Sequence, residues 1–529
     1  MRSWGGASWP RVGGWCGENR YRRSICSFQA SSVFFSFGKI SFRFFSMSCC
    51  PVPSQRIRVL NSKPVQKSRE YVLYWMQAAV RITYNYALQY ALFCANQLEK
   101  PLLICFGLTD SFPEANARHY AFLLQGLQDV QRQLAERNLQ LIVYHASPEL
   151  VVEKLSNKAA QVVVDMNYLK VTKSWRQYIA NTIDCNFTQV ETECIVPVEL
   201  VTDKEEYAAR TIRPKLWKHA SEFLIPWSDT IQGTTTTKIS TVDIPRDTFP
   251  IFELNQDAKT LVERLNVDKS VPPVSHFVGG ETEAKRRLAE FCQSKLRDYE
   301  KHRNDPSLNC VSHMSPYLHF GHISPIEIVL AVQAANPSPS IPKSCKNAYI
   351  EEVFIRRELS FNFCYFCDKY DSFECLPSWA KQTLNEHLKD KRQFLYTLEQ
   401  LESARTHDPY WNAAQVEMVQ TGKMHNYMRM YWGKKVIEWT ANPEEAFRIL
   451  LYLNNKYELD GRDPNSFTGV AWCFGKHDRA HMERPITGKL RYMSAQGLER
   501  KFNIALYARK YRNERENNDH HEAKRQRNN

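Results

Sequence analysis

The sequence predicts an α/β domain followed by an all-helical domain. Three observations carry this reading. Short apolar strands alternate with helical periodicities over residues 70–200. A Thr- and Pro-rich stretch with poor periodicity follows over 201–275. From 276 to 511 nearly every segment repeats its apolar residues at helical spacing.

The strands are YVLYW (71–75), LLICF (102–106), LQLIVY (139–144) and VVVD (162–165), rich in β-branched and aromatic residues. Helical periodicities fill 85–98 and 118–137 between them. Such alternation predicts a parallel sheet covered by helices on both faces, Rossmann-like in plan. No GxGxxG follows a strand, so the usual dinucleotide fingerprint is missing. In the second domain, helices are expected over 281–302, 325–334, 347–370, 377–384, 391–404, 413–421, 424–440 and 443–454. Ser324 before Pro325 and Asn442 before Pro443 each set an N-cap residue ahead of Pro in the first turn.

Composition narrows the function. At 529 residues, two domains are the default, and 43% hydrophobic with 12% aromatic residues supports a large core. The formal net charge of +13 favours a polyanionic partner, because each cation set on a phosphate releases counterions. The tail 512–529 carries acids beside its bases and explains little of the excess. No apolar run reaches membrane-spanning length, so no membrane partner is expected. Of 15 Cys, Cys364 and Cys367 form one CxxC, but no second pair stands at zinc distance. The thiols read as reduced and no metal is expected. Residues 1–69 are set aside as an extension. Their first 46 are rich in Arg, Ser and Phe with one acid, Glu18, as in an organelle transit peptide. A start at Met47 is the alternative.

Three indoles then stand out. Trp432 and Trp439 lie two helical turns apart in MHNYMRMYWGKKVIEW, on one side with an axial offset of about 10 Å. Trp411 opens another helix, in HDPYWNAAQ. A buried Trp is most often a core filler. Beside the charged run Glu458-Leu459-Asp460-Gly461-Arg462-Asp463, three indoles also suit an electron relay to a buried redox cofactor.

The surrounding residues decide between these readings. KMHNYMRMYWGKKVIEW, LNNKYELDGRDPNSFTGVAW and KLRYM resemble the C-terminal signature of class II cyclobutane pyrimidine dimer photolyases. RNDPSLNCVSHMSPYLHFGHIS and EEVFIRRELSFNFCYF resemble that family's flavin-binding segments. The resemblance spans about 70–511 and keeps its order. It implies light-driven DNA repair in the photolyase and cryptochrome family, with an FAD-binding helical domain. Reduced, non-covalent FAD would pass an electron to a pyrimidine dimer in double-stranded DNA. An antenna chromophore, folate or deazaflavin, is left open, and a monomer is expected. The compartment implied is the nucleus, a chloroplast or a mitochondrion. A cryptochrome-like photoreceptor without repair is the main alternative. A flavin oxidoreductase is disfavoured by the missing nicotinamide fingerprint.

The resemblance also carries site roles onto matching positions. Tyr299, Arg303, Ser312, Met314 and Ser315 would bind FAD, and SHMSP at Ser312–Pro316 offers an anion site at a helix start. The family more often has SNLSP there. Arg429 and Asp460 would face the flavin as an ion pair, with Arg462 in the same cofactor set and the Asn454 amide at flavin N5. Glu352 would contact both cofactor and lesion. Arg356, Trp472 and Arg491 would bind the substrate, Arg491 filling the gap left by the flipped lesion. His481 stands where an indole is usual, in a loop (473–485) slightly shorter than the family's. Trp432, Trp411 and Trp439, in that order outward, would refill the flavin with electrons.

Overall fold

A computed structural model describes residues 50–228 and 249–512. The leader expected as a transit peptide lies outside the described residues, as do the Thr-rich run 229–248 and nearly all of the tail.

Six strands form one sheet: β1 (Ile57–Val59), β2 (Tyr71–Trp75), β3 (Leu102–Leu108), β4 (Leu141–His145), β5 (Ala159–Asp165) and β6 (Asn186–Val190). Their order is β1-β6-β5-β2-β3-β4. All pairs are parallel except β1 with β6, which run antiparallel with Ile57 opposite Val190. The sheet is therefore mixed, and its antiparallel edge lies within the extension set aside from the sequence. Arg56 explains the difference. Its buried guanidinium donates to the carbonyls of Glu191, Cys194 and Ile195 at 2.6–3.0 Å, which anchors this segment beside β6. Strand β6 has the sequence NFTQV, whose buried Thr188 and Gln189 hide it from an apolar pattern. Central β2, β3 and β5 are buried throughout, as parallel strands covered on both faces should be.

Helices α1 (Tyr86–Gln97), α2 (Ala117–Ala135), α3 (Pro148–Ser156) and α4 (Lys170–Thr182) cover the sheet. The stretch expected as a connector folds in part, into α5 (Val198–Val201), α6 (Ala209–Phe223) and α7 (Ala258–Glu263). The helical part comprises α8 (Glu281–Ser294), α9 (Tyr299–His302), α10 (Ser315–His319), α11 (Pro325–Ala334), α12 (Lys343–Ile350) and α13 (Arg357–Phe366). It continues with α14 (Ser378–Glu386), α15 (Leu398–Glu402), α16 (Pro409–Thr421), α17 (Asn426–Trp439), α18 (Pro443–Tyr457), α19 (Pro464–Cys473), α20 (Ala495–Lys501) and α21 (Ile504–Lys510). Val72, Ile104 and Leu124 share one core with Phe277, Leu288, Met314 and Phe354, so sheet and helices are packed together. A second core surrounds Trp411, Trp432 and Trp439.

Three expected helices are interrupted. That over 281–302 breaks after Ser294 into α8, a 3-10 turn at Leu296–Asp298 and α9. The helix expected over 347–370 contains a π-helical turn at Glu351–Arg356 between α12 and α13. Only α15 forms within 391–404. There Phe394 and Tyr396 stack beside His407, and the Tyr396 amide donates to the Trp439 carbonyl at 3.0 Å. Tertiary contacts override local periodicity, and Thr397 starts α15 with a capping box to Gln400. Among the described residues, no helix is long and apolar enough to cross a membrane and no cluster could hold a metal. The described cysteines are free thiols.

Candidate active site

Asp408 caps α16, accepting from the amides of Tyr410 and Trp411 at 2.9 and 3.0 Å. This fixes Trp411 in the first turn, facing α17. Its Nε1–H donates to the Trp432 carbonyl at 3.0 Å, and the two indoles stack 6.2 Å apart at 13°. Trp439 meets Trp411 from another side, at 5.8 Å and 63°. Trp411 therefore bridges the two indoles that share α17, and all three are buried. Gln415 accepts from the Trp432 indole at 2.9 Å, a partner the sequence did not suggest. A Cβ at Gly433 would come within 2.5 Å of the Cys473 sulfur, so glycine lets α19 close on α17 here. Beyond Trp439 lie Tyr396 at 5.5 Å and the exposed ring of His407 at 5.1 Å.

Arg429 sits one turn before Trp432 on α17. Its Nη2 pairs with Glu458 at 2.9 Å and Asp460 at 3.1 Å. Lys423 adds a second cation, 3.3 Å from Asp460 and hydrogen-bonded to the Ser315 hydroxyl. Burial opposes ionisation of Asp460, but Arg429 and Lys423 outweigh it and hold its carboxyl below the usual range. Burial pushes Glu458 the other way, up to about 8; Arg429 opposes this and the Asp460 charge adds to it. Sequence reasoning found Arg429 and Asp460 but missed Lys423 and Glu458, since neither a Lys after a helix-ending glycine nor a Glu in a charged run signals burial. Asn454 lies inside the last turns of α18, which runs on to Tyr457, so it is no C-cap. It is buried, with its amide donating to Asn455 Oδ1 at 3.1 Å.

Arg303 pairs with Glu352 at 2.6 Å and leans over the Tyr299 ring at 5.7 Å. Burial disfavours the Arg303 charge, yet Glu352 more than offsets it and raises the guanidinium above its ordinary value. Ser312 Oγ accepts the Met314 amide at 3.3 Å, and Ser315 opens α10. That helix has only five residues, too short to build much of a dipole. Lys423 instead brings the positive charge to Ser315. His313 between them adopts φ +57°, a left-handed geometry that Asn and His accept more readily than most residues.

The π turn places Arg356 over Glu351 at 3.2 Å, while Glu352 turns to Arg303. The Arg356 guanidinium lies 5.4 Å over the half-buried Trp472 ring, so these two expected substrate contacts touch each other. Arg491 is exposed, apart from both charged clusters by contact. Arg462 is buried at φ +63°, with Nη1 3.0 Å from His119 Nε2 and donating to the Asn455 carbonyl at 2.8 Å. With His319 and Phe320 of the helical part, it closes a cavity of about 120 Å³ against His119, Trp75, Phe106, Tyr120 and Trp175 of the α/β part. Arg462 thus meets that cavity as well as the charged run of Asp460 and Asp463.

The donor set fits a diphosphate-bearing flavin. Lys423 and the Ser315 hydroxyl face one another, and the buried Nε of Arg429 has no protein acceptor. An anionic group with several acceptor oxygens would satisfy such donors.

Known proteins resemble the chain along most of its length. The family model for DNA photolyase matches residues 72–233. The chain is 49% identical over 461 residues to a deoxyribodipyrimidine photo-lyase of Methanothermobacter thermautotrophicus, covering 87% of this chain and 99% of that one. It is 36% identical to the deoxyribodipyrimidine photo-lyase of Potorous tridactylus, covering 86% and 84%. In fold it is similar to a Synechocystis cryptochrome, with a TM-score of 0.63 at 16% identity over 84% of this chain and 88% of that one. Near-complete coverage at this identity leaves one conclusion: the chain belongs to the photolyase/cryptochrome family.

Proposed function

We propose that this protein is a deoxyribodipyrimidine photo-lyase of the class II kind, repairing pyrimidine dimers in double-stranded DNA with light. Reduced FAD, when bound, supplies the photoexcited electron. Every other part falls to the chain's own residues. Arg303, Ser312, Ser315 and Lys423 would hold the diphosphate, joined by Met314 and the Tyr299 ring. Arg429, Asp460 and Asn454 would hold the flavin ring system. Arg356 and Trp472 seat the lesion, Glu352 hydrogen-bonds its bases, and Arg491 occupies the gap in the duplex. No side chain acts as acid or base in ring splitting; their work is positioning and exclusion of water.

The single observation that carries this reading is the contiguous row of Trp432, Trp411 and Trp439, the first pair stacked and the second edge-on, starting one turn from Arg429. Packing alone does not require three buried indoles in serial contact beside a buried cation shared by two carboxylates. The aromatic cavity lined by Trp75, Phe106 and Trp175 is proposed to take a planar antenna, with Arg462 and His119 meeting its polar part. Folate and deazaflavin both remain candidates for it.

Purified protein should be yellow and should release FAD on denaturation without proteolysis. A folded but colourless protein with no flavin affinity would refute the proposal. A photoreceptor would keep the yellow colour but leave dimers intact in light.

A further inference from the structure

Helix α6 lies in the stretch expected as a connector, yet it is built into the neighbourhood of Trp472. Just ahead of it, the Tyr207 carbonyl lies 2.8 Å from His477 Nδ1, and the His477 ring lies 6.2 Å from Trp472. Trp472 carries the Arg356 guanidinium, Arg356 meets Glu351, and Glu351 pairs with Arg213 of α6 at 2.6 Å. The contacts form a closed ring that leaves α6 and returns to it. The Tyr207 hydroxyl adds a bond to the Asp478 carbonyl at 3.2 Å, and Trp217 packs edge-on against Phe354 of the π turn at 5.2 Å. This helix is fixed to the lesion contacts from both sides.

Its outer face has a definite chemistry. Arg210, Pro214, Trp217 and Lys218 are exposed at helical spacing, with Trp217 45% and Tyr207 56% accessible. Of the nearby carboxylates, Glu205 pairs with Lys476, Glu206 with Lys215 and Glu351 with Arg213, while exposed Glu222, one turn beyond Lys218, lies 3.5 Å from His219. Among the described residues, Arg210 and Lys218 form no ion pair. Two cations, Arg210 and Lys218, against one carboxylate, Glu222, and two exposed aromatic rings therefore face solvent beside Trp472.

We propose that the outer face of α6, with Tyr207, is a second DNA-contacting surface that grips the duplex backbone to one side of the lesion. The inference rests on the repair reading, because it needs a duplex seated over Trp472. A duplex is longer than the lesion pocket, one turn alone spanning about 34 Å. Arg210 and Lys218 would neutralise phosphates, and Trp217 and Tyr207 would lie against sugar and backbone. Such contacts set register and affinity without reading sequence.

The test is a titration of the flavin-loaded full chain with dimer-containing duplex at two salt concentrations, beside a light-repair assay of the wild type. The double variant Arg210→Gln/Lys218→Gln leaves the Trp217–Phe354 packing in place. It should bind on the order of tenfold more weakly, with a salt slope shallower by about 0.9 for each phosphate that is no longer neutralised. Trp217→Ala should weaken binding without changing the slope. Photoreduction of the flavin in each variant confirms that the fold is intact. Wild-type affinity and slope in the double variant would overturn the proposal, and would leave Trp217 to a protein partner. Absence of light-dependent repair in the wild type would instead remove the reading on which the proposal rests.

Discussion

The Trp411 indole donates its N–H to the backbone carbonyl of Trp432 while lying 6.2 Å from that residue's ring and 13° from parallel. One hydrogen bond thus holds two helices and two rings in register. Trp432→Phe should abolish photoreduction of oxidised flavin, and Trp411→Phe should do the same. Both variants, reduced chemically, should still repair dimers, because the row refills the flavin and takes no part in ring splitting. Absorbance under illumination with an external donor, read against dimer repair in the same preparations, checks this. Equal loss of both activities would leave the indoles as packing alone.

Gln415 gives a structural counterpart. Its carbonyl accepts the Trp432 indole N–H in a site closed to water. Gln415→Leu leaves that donor unpaired, at a cost of about 1–3 kcal/mol. The melting temperature should fall by several degrees and photoreduction should slow, with Trp432 still present. A thermal melt and a photoreduction trace on one variant suffice.

Glu458 should dominate part of the pH dependence. Its carboxyl is pushed up to about 8, mainly by burial. A raised acid binds its proton more tightly folded than unfolded, so its stabilising contribution is complete at low pH. That contribution is lost as pH rises from the ordinary glutamate range through about 8. Glu458→Gln should therefore flatten the fall in melting temperature between pH 5 and pH 8, windows set by about those two values. An unchanged pH profile in the variant would show that Arg429 keeps Glu458 ionised throughout.

These sites were legible in the sequence to different degrees, for physical reasons. Helix α11 begins and ends where its Ser-Pro start and apolar run place it, because cap and periodicity agree. The charges at Arg429 and Asp460 could be paired from their apolar flanks. Lys423 and Glu458 could not, since their burial depends on how the loops after α16 and α18 meet. That meeting is set by the Leu459 amide donating to the Gly422 carbonyl at 2.7 Å, with Gly422 at φ +74°. The π turn left no periodic trace, because one inserted residue in a helix changes neither composition nor apolar fraction. Strand β1 was lost to the extension because its anchor, Arg56, reads as a surface residue until its carbonyl partners are known.

Arg491 is exposed within the loop that joins α19 to α20. Arg491→Ala should weaken binding to dimer-containing duplex more than binding to the same lesion in a single strand. In the duplex, a filled gap offsets part of an unstacking cost of a few kcal/mol; a single strand has no gap. A role in phosphate neutralisation alone would lower both affinities and both salt slopes. Paired titrations of the two substrates separate the roles.

The central claim is that light drives this protein to split pyrimidine dimers. Purified, flavin-loaded, chemically reduced protein is mixed with dimer-containing duplex DNA, and intact dimers are counted after blue or near-ultraviolet illumination and after the same time in darkness. The account predicts dimer loss in the light, none in the dark, and binding in both. Dimers that persist in the light with bound, reduced flavin would contradict it.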